Sequence, residues 1–312
     1  MLRGQAMEML EGPILTIITA STPLLLVALG ELVTERSGVL NLGVEGMMAV
    51  GAVCGFAAAN LTGISALGVL AAIIGGMLMA SLFAFLTLFL VSNQVASGLA
   101  LTLFGLGLSA LIGDAFVGIP GNGLEKLYIP GLSDLPFLGR IVFGQDALTY
   151  LAWALAIAVS YFLFRTRAGL IVRAVGDNHV SAHALGYPVI RVRFMAVLFG
   201  GACAGLGGGY LSLVYTPQWT QNMTAGRGWI ALALVVFAAW LPARLVAGAL
   251  LFGAISYLSL YIQGLGVGVP SQFLSMLPYL TTIVVLVLIS QNRTMLRVNT
   301  PACLGQPFVP DR

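Results

Sequence analysis

Charge is what this sequence has least of. Only 8% of its 312 residues are Asp, Glu, Lys or Arg, against about 25% in an average soluble domain. Residues 46–113 and 245–292 contain none of the four, and no histidine either. A bilayer crossing takes about 20 mostly apolar residues, so the first stretch holds three crossings and the second two. A soluble fold is thereby excluded. Lysine occurs once, at Lys126, so no G-x-x-x-x-G-K-[ST] loop exists and the chain cannot hydrolyse ATP by that route. Basic runs interleaved with aromatics are missing, which leaves no basis for a nucleic-acid partner. The three cysteines, Cys54, Cys203 and Cys303, stand far apart without metal spacing. Histidine occurs only at His179 and His183. Their i,i+4 spacing suits a metal, but further ligands are lacking, so a solvent-exposed pair is expected. No nucleophile lies beside a base, and neither a cofactor nor an enzyme activity is expected.

What is present is 59% hydrophobic residues, punctuated by turn formers. They predict an all-α polytopic membrane bundle of about nine helices, near 13–33, 39–60, 64–91, 95–117, 147–164, 194–215, 228–241, 244–263 and 271–290. Residues 1–12 and 293–312 are tails, and 13–292 form the membrane domain. The first twelve residues carry Glu8 and Glu11 and no small-residue cleavage site, so they are not read as a removable signal. Orientation follows from two long connections. Residues 165–193 hold Arg165, Arg167, Arg173, Arg191 and Arg193 against Asp177, whereas 118–146 hold Lys126 and Arg140 against Glu125, Asp134 and Asp146. The positive-inside rule makes the first loop cytoplasmic and the second external, and Arg244, Arg297 and Arg312 then also fall inside.

Three local patterns stand out. Gly201, Gly205 and Gly209 recur every fourth residue, baring one helix face to a neighbouring backbone. In VGDNHVSAHALGYP, Asp177 or Asn178 can cap a short helix that Gly186 and Pro188 end; taken locally, these signals describe an ordinary capped loop helix. In ELVTERSGVLNLGVEG, residues 31–46, glycines surround Asn41 and predict a break between the first two spans. There Glu31, Glu35, Arg36, Asn41 and Glu45 face water or one another, or Arg36 pairs with Glu35 or Glu31 in a surface hairpin. The central spans otherwise lack carboxylates for a proton relay, so the energy for any active transport is expected from another subunit.

Several stretches together resemble the membrane-spanning permeases of ABC importers, in the branch for nucleosides, simple sugars and branched-chain amino acids. They are residues 30–52, 93–107, 130–152, 165–213 and 222–240, almost the whole chain. The form TERSGVLNLGVEGM is most similar to permeases served by a lipoprotein of the basic membrane protein type, associated with nucleosides and in some systems riboflavin. A departure is FAAWLPAR, with Ala238 and Ala239 where relatives read close to F-G-R-W-N-P. The resemblance implies an ATP-binding subunit, a second, related permease chain, an external binding lipoprotein and a prokaryotic inner membrane. It further implies that the segment from Asp177 to Gly186 is the coupling helix seated on the ATPase, through Asp177, Asn178, His179, Ala182, His183, Leu185 and Gly186. The flanking arginines would meet acidic groups there or membrane lipid. For the solute path the residues offer Asn93, Gln94, Ser97 and Thr102 along one span. Before the short span, near the outer face, they offer Asn222, Arg227 and Trp229, with interfacial anchoring the alternative for the last two.

Overall fold

The computed structural model describes residues 2–128, 130–133, 138–266, 268, 270–290 and 299–310. Apolar runs become helices because backbone groups in lipid must bond within their own segment. In chain order the helices are α1 (Leu2–Arg36), α2 (Val44–Thr62), α3 (Ser65–Ala84), α4 (Gln94–Gly113), α5 (Leu138–Phe143), α6 (Ala147–Arg165), α7 (Arg167–Asp177), α8 (His179–Ala184), α9 (Val189–Tyr210), α10 (Arg227–Phe237), α11 (Pro242–Gly264) and α12 (Ser271–Ser290). Beyond α3 and α9 the last turn widens to i→i+5 bonding, Leu90 N to Phe85 O at 3.1 Å and Thr216 N to Leu211 O at 3.0 Å. Among the described residues, seven helices are long and apolar enough to cross a membrane, and Arg227–Phe237 and Gln272–Val285 are shorter apolar helices. Together these match the nine expected positions.

The centre of the bundle is α9, and glycine explains why. The expected bare face is there: a side chain at Gly201 or Gly205 would strike the backbone of Gly76 or Ala72 on α3. Two further faces are equally bare. Gly200 lies against Thr34 of α1, and Gly208 against the Met48 carbonyl of α2. Such close approach lets hydroxyls reach carbonyls of other helices: Thr34 Oγ1 donates to Ala196 O at 3.1 Å, Ser212 Oγ to Ala52 O at 2.8 Å, and Ser109 Oγ to Ala49 O at 3.0 Å. Between apolar helices in lipid, packing and these bonds supply the cohesion that water expulsion supplies elsewhere.

Three expectations about segment ends are corrected. Helix α1 continues through Glu31, Glu35 and Arg36 instead of stopping near 33, so these charges are buried inside the bundle rather than placed at its surface. The loop 165–193 carries two helices, the amphipathic α7 and the six-residue α8, where only one was foreseen. Finally, α10 begins inside the molecule. Its eleven residues span about 16 Å, half of the ~30 Å hydrocarbon core.

Candidate functional site

The break at residues 37–43 has a turn at each end and returns into the bundle, so that α2 also starts at depth. Gly46 packs on Leu101 of α4, seven residues and about 10 Å from that helix's first residue. From this position Glu45, 1% exposed, reaches the start of α10. Its Oε1 accepts from Thr224 Oγ1 at 2.6 Å and Gly226 N at 2.8 Å, and its Oε2 from Gly228 N at 2.6 Å. A carboxylate is the natural cap for a helix N-terminus, where free N–H groups carry partial positive charge. The Gly226–Arg227–Gly228 break therefore lies beside the first turn of α2, not near the outer face as the sequence led us to expect. Within the 31–46 segment itself, Asn41 ties both ends of the break. Asn41 donates to Glu31 Oε1 at 2.9 Å and accepts from Gly43 N at 3.0 Å.

The far end of α10 is held by α1. Ala239 and Trp240 adopt φ of 48° and 55°, left-handed conformations that strain L-residues by roughly 1–2 kcal/mol each. This turn points the Trp240 indole at Glu35 Oε2, 2.6 Å away, while the Trp240 carbonyl accepts from Arg36 Nη2 at 2.9 Å. No ion pair joins Arg36 to Glu31 or Glu35; its second donor goes to Asn299 O at 3.0 Å. Glu31 Oε2 and Glu35 Oε1 are buried without a hydrogen-bond partner among the described residues. Within the described spans, buried carboxylates are thus confined to α1 and the start of α2, while the central spans α3, α4, α6 and α9 contain none.

A cavity of about 280 Å³ opens where α10 starts, lined by Ala20, Leu24, Tyr215, Ala225, Arg227, Ile230, Phe252, Ser256, Ser275, Pro278 and Tyr279. The Arg227 guanidinium lies 5.3 Å from the Tyr215 ring centre and donates to Met223 O at 2.9 Å, and the Tyr279 hydroxyl donates to Ala225 O at 2.6 Å. Of the residues proposed for a solute path, only Arg227 lines this cavity. Asn222 and Trp229 are exposed beside it. Asn93 caps α4 by accepting from Ala96 N at 3.0 Å, and Ser97 shares a 2.8 Å hydroxyl contact with Ser92. Gln94 accepts from Leu40 N at 2.8 Å and Thr102 donates to Leu42 O at 2.9 Å, so both pin the break. Tyr215 and Tyr279 were missed. Their only sequence signals are the neighbouring Pro217 and Pro278, which mark irregular backbone.

At the α8 end, Asn178 is the residue that caps, accepting from Ser181 N at 2.9 Å, and Gly186 takes the left-handed φ of 85° just past the helix. His179 and Ala182 are buried, while Asp177, Asn178, His183, Leu185 and Gly186 are exposed. The expected solvent-exposed histidine pair is therefore half right. His179 Nδ1 accepts from Arg193 Nη2 at 3.1 Å, and burial together with that guanidinium holds its pKa below the usual histidine value. Val180 and Leu185 project outward, 66% and 77% exposed, an apolar tip on a loop that otherwise carries arginines. Among the described residues no cluster of three or more His, Cys, Asp or Glu side chains is placed to hold a metal.

Buried breaks, half-length helices and a short exposed loop helix define a multi-pass membrane transporter subunit. The fold has a solved counterpart: an ABC transporter provisionally typed as metal-chelate, in an inward-facing conformation, superposes with a TM-score of 0.52 at 15% identity, over 88% of this chain and 84% of that one. Residues 13–289 match the family described as branched-chain amino acid transport system / permease component, and the chain belongs to that family. It is 41% identical over 93% of its length, and 95% of the relative's, to TsgC13 of Haloferax volcanii, provisionally named a glucose ABC transporter permease protein. It is 34% identical to the guanosine ABC transporter permease protein NupQ of Bacillus subtilis, over 95% of this chain and 97% of that one. It is also 34% identical to the nucleoside ABC transporter permease protein NupC of Lactococcus lactis, over 86% and 89%. The chain is a permease subunit of an ABC importer.

Proposed function

We propose that this permease carries a neutral, hydroxyl-bearing solute, a nucleoside first of all, across a prokaryotic inner membrane. It does so together with a second permease chain, a separate ATP-binding subunit and an external binding lipoprotein. The observation that carries the choice of solute is the position of Glu45. Half-helix N-termini inside transporters commonly face the anionic group of a substrate. Here the chain's own carboxylate fills that place, and Arg227 lies over Tyr215 on the other side of the break. Of the residues that line the cavity, Arg227 alone is charged, and the buried Glu45 behind the break offsets it, so a solute needs no charge to enter. Tyr215 and Tyr279 supply flat, partly polar surfaces on which a heterocycle can stack. The names of the guanosine and nucleoside relatives point the same way. A simple sugar is the second reading, supported by the glucose relative at 41% identity. The exposed tip of α8 is the surface offered to the ATP-binding subunit.

The test is uptake of labelled guanosine by the complete transporter in proteoliposomes, with unlabelled guanosine, riboflavin, glucose and leucine as competitors. Guanosine should compete best and leucine not at all. Leucine competing better than guanosine and glucose would remove the neutral-solute reading.

A further inference from the structure

Residues 299–310 have no part in the steps above, yet they are bonded to every element around α8. Cys303 N donates to Gly176 O at 2.9 Å, at the end of α7, and Gly305 N to Gly38 O at 3.1 Å, at the break after α1. Arg193 of α9 donates through Nη1 to Gln306 O at 3.0 Å and through Nη2 to His179. The Phe308 ring stands edge-on to both histidines of α8, with centres 5.2 Å from His179 and 5.3 Å from His183. It also covers the small apolar cluster of Val175, Ala182 and Val189.

We propose that residues 299–310 form a strap that sets the orientation of α8, with Phe308 as its positioning residue. A helix of six residues does not sustain itself, because nucleation costs more than so few bonds return. Its orientation must come from whatever covers its one buried face. That face is His179 and Ala182, covered by Val175 from α7, Val189 from α9 and Phe308 from the strap, with the Arg193 guanidinium of α9 on His179. The first two belong to the helices that flank α8 in sequence. Only the strap arrives from elsewhere in the chain, and it is itself anchored to α1 and α9 through Arg36 and Arg193. The strap therefore ties the loop helix to the membrane helices directly, outside the two covalent connections at residues 178 and 185–188.

This inference rests on the reading of α8 as the contact to the ATP-binding subunit, and two measurements separate the two claims. The first is deuterium exchange of the backbone amides of residues 178–187 in the assembled transporter. Phe308→Ala should speed that exchange about tenfold, Phe308→Tyr should keep the parent rate, and Val309→Ala, at an exposed neighbour, should leave it unchanged. Phe308→Leu, retaining bulk without the ring face, should give an intermediate rate and serves if the alanine variant does not assemble. Parent rates in both Phe308→Ala and Phe308→Leu, or an equal effect of Val309→Ala, would overturn the strap. The second measurement is ATP consumed per solute imported, which should rise about threefold in Phe308→Ala while solute capture by the binding lipoprotein stays intact. Faster exchange with an unchanged ratio would leave the strap standing and overturn the coupling role of α8.

Discussion

Replacing Glu45 tests the central geometry most directly, because three buried donors converge on one side chain. Alanine would leave Thr224 Oγ1, Gly226 N and Gly228 N without an acceptor. An abandoned buried donor costs about 1–3 kcal/mol. Allowing the threonine hydroxyl to turn to another acceptor, the two backbone N–H groups alone give about 2–6 kcal/mol. Glutamine is nearly isosteric, and its carbonyl at the Oε1 position keeps the bonds from Thr224 and Gly226. Its amide nitrogen then faces the Gly228 N–H, donor against donor, and the negative charge on the helix N-terminus is gone. That sums to about 1–3 kcal/mol for the lost bond and a further 0.3–2 kcal/mol for the charge. The order is therefore parent, Glu45→Gln, Glu45→Ala in thermal stability of the detergent-purified transporter. Guanosine uptake should fall in the same order, because Arg227 and Ala225 of the cavity are placed by the residues Glu45 holds. Glutamine and alanine variants with parent stability and parent uptake would refute the capping role, and with it the argument for a neutral solute.

Gly76→Ala should lower stability by about 1–3 kcal/mol through overpacking, since its methyl would meet the Gly201 carbonyl. Gly107→Ala, on the open face of α4 with nothing within 4 Å, should raise it by about 0.5–1 kcal/mol; thermal challenge followed by size-exclusion chromatography reads both, and equal shifts would contradict the packing described. For pH, the folded pKa of His179 is lowered, so the native loop binds fewer protons than the unfolded one. Protection of α8 should be constant above the ordinary histidine value of about 6.5 and decline as pH falls below it. Deuterium exchange on residues 178–187, corrected for intrinsic rates, follows this, and a His179→Gln variant with the same decline would show that another group is responsible. Orientation is checked in a Cys303→Ser background, where Gly123→Cys should react with an impermeant thiol reagent added outside and Ser181→Cys should not. Reversed labelling would turn the topology over.

The parts of the fold that were legible in the sequence are those decided by neighbours along the chain. Charge-free runs gave the spans because lipid leaves the backbone no other partner, and Asn178 and Gly186 gave the ends of α8 because capping is local. The glycine stripe of α9 was readable as a face, though not that Gly200 and Gly208 extend it to two other helices. Illegible were contacts between distant residues. Glu45 and Thr224 are 179 positions apart, and nothing near either names the other. Glu31, Glu35 and Arg36 looked like surface charges because apolar spans were taken to end at charges, whereas α1 buries them by giving Asn41 and Trp240 as partners. Helix α7 was overlooked for the opposite reason, since its arginines hid the face of Gly169, Val172, Val175 and Gly176 that lays it along the bundle.

Helix α10 is a short rod with both ends fastened to one stretch of chain. Its start hangs on Glu45 and its finish, through Trp240, on Glu35 and Arg36, and only the break between α1 and α2 separates those anchors. A stiff member pinned at two points cannot tilt at one without displacing the other. Any widening of the cavity at Arg227 must therefore be accompanied by movement at Arg36, which is bonded to Asn299 at the root of the strap. The chamber in the middle of the bundle and the surface at its α8 end are the two ends of one lever about 16 Å long.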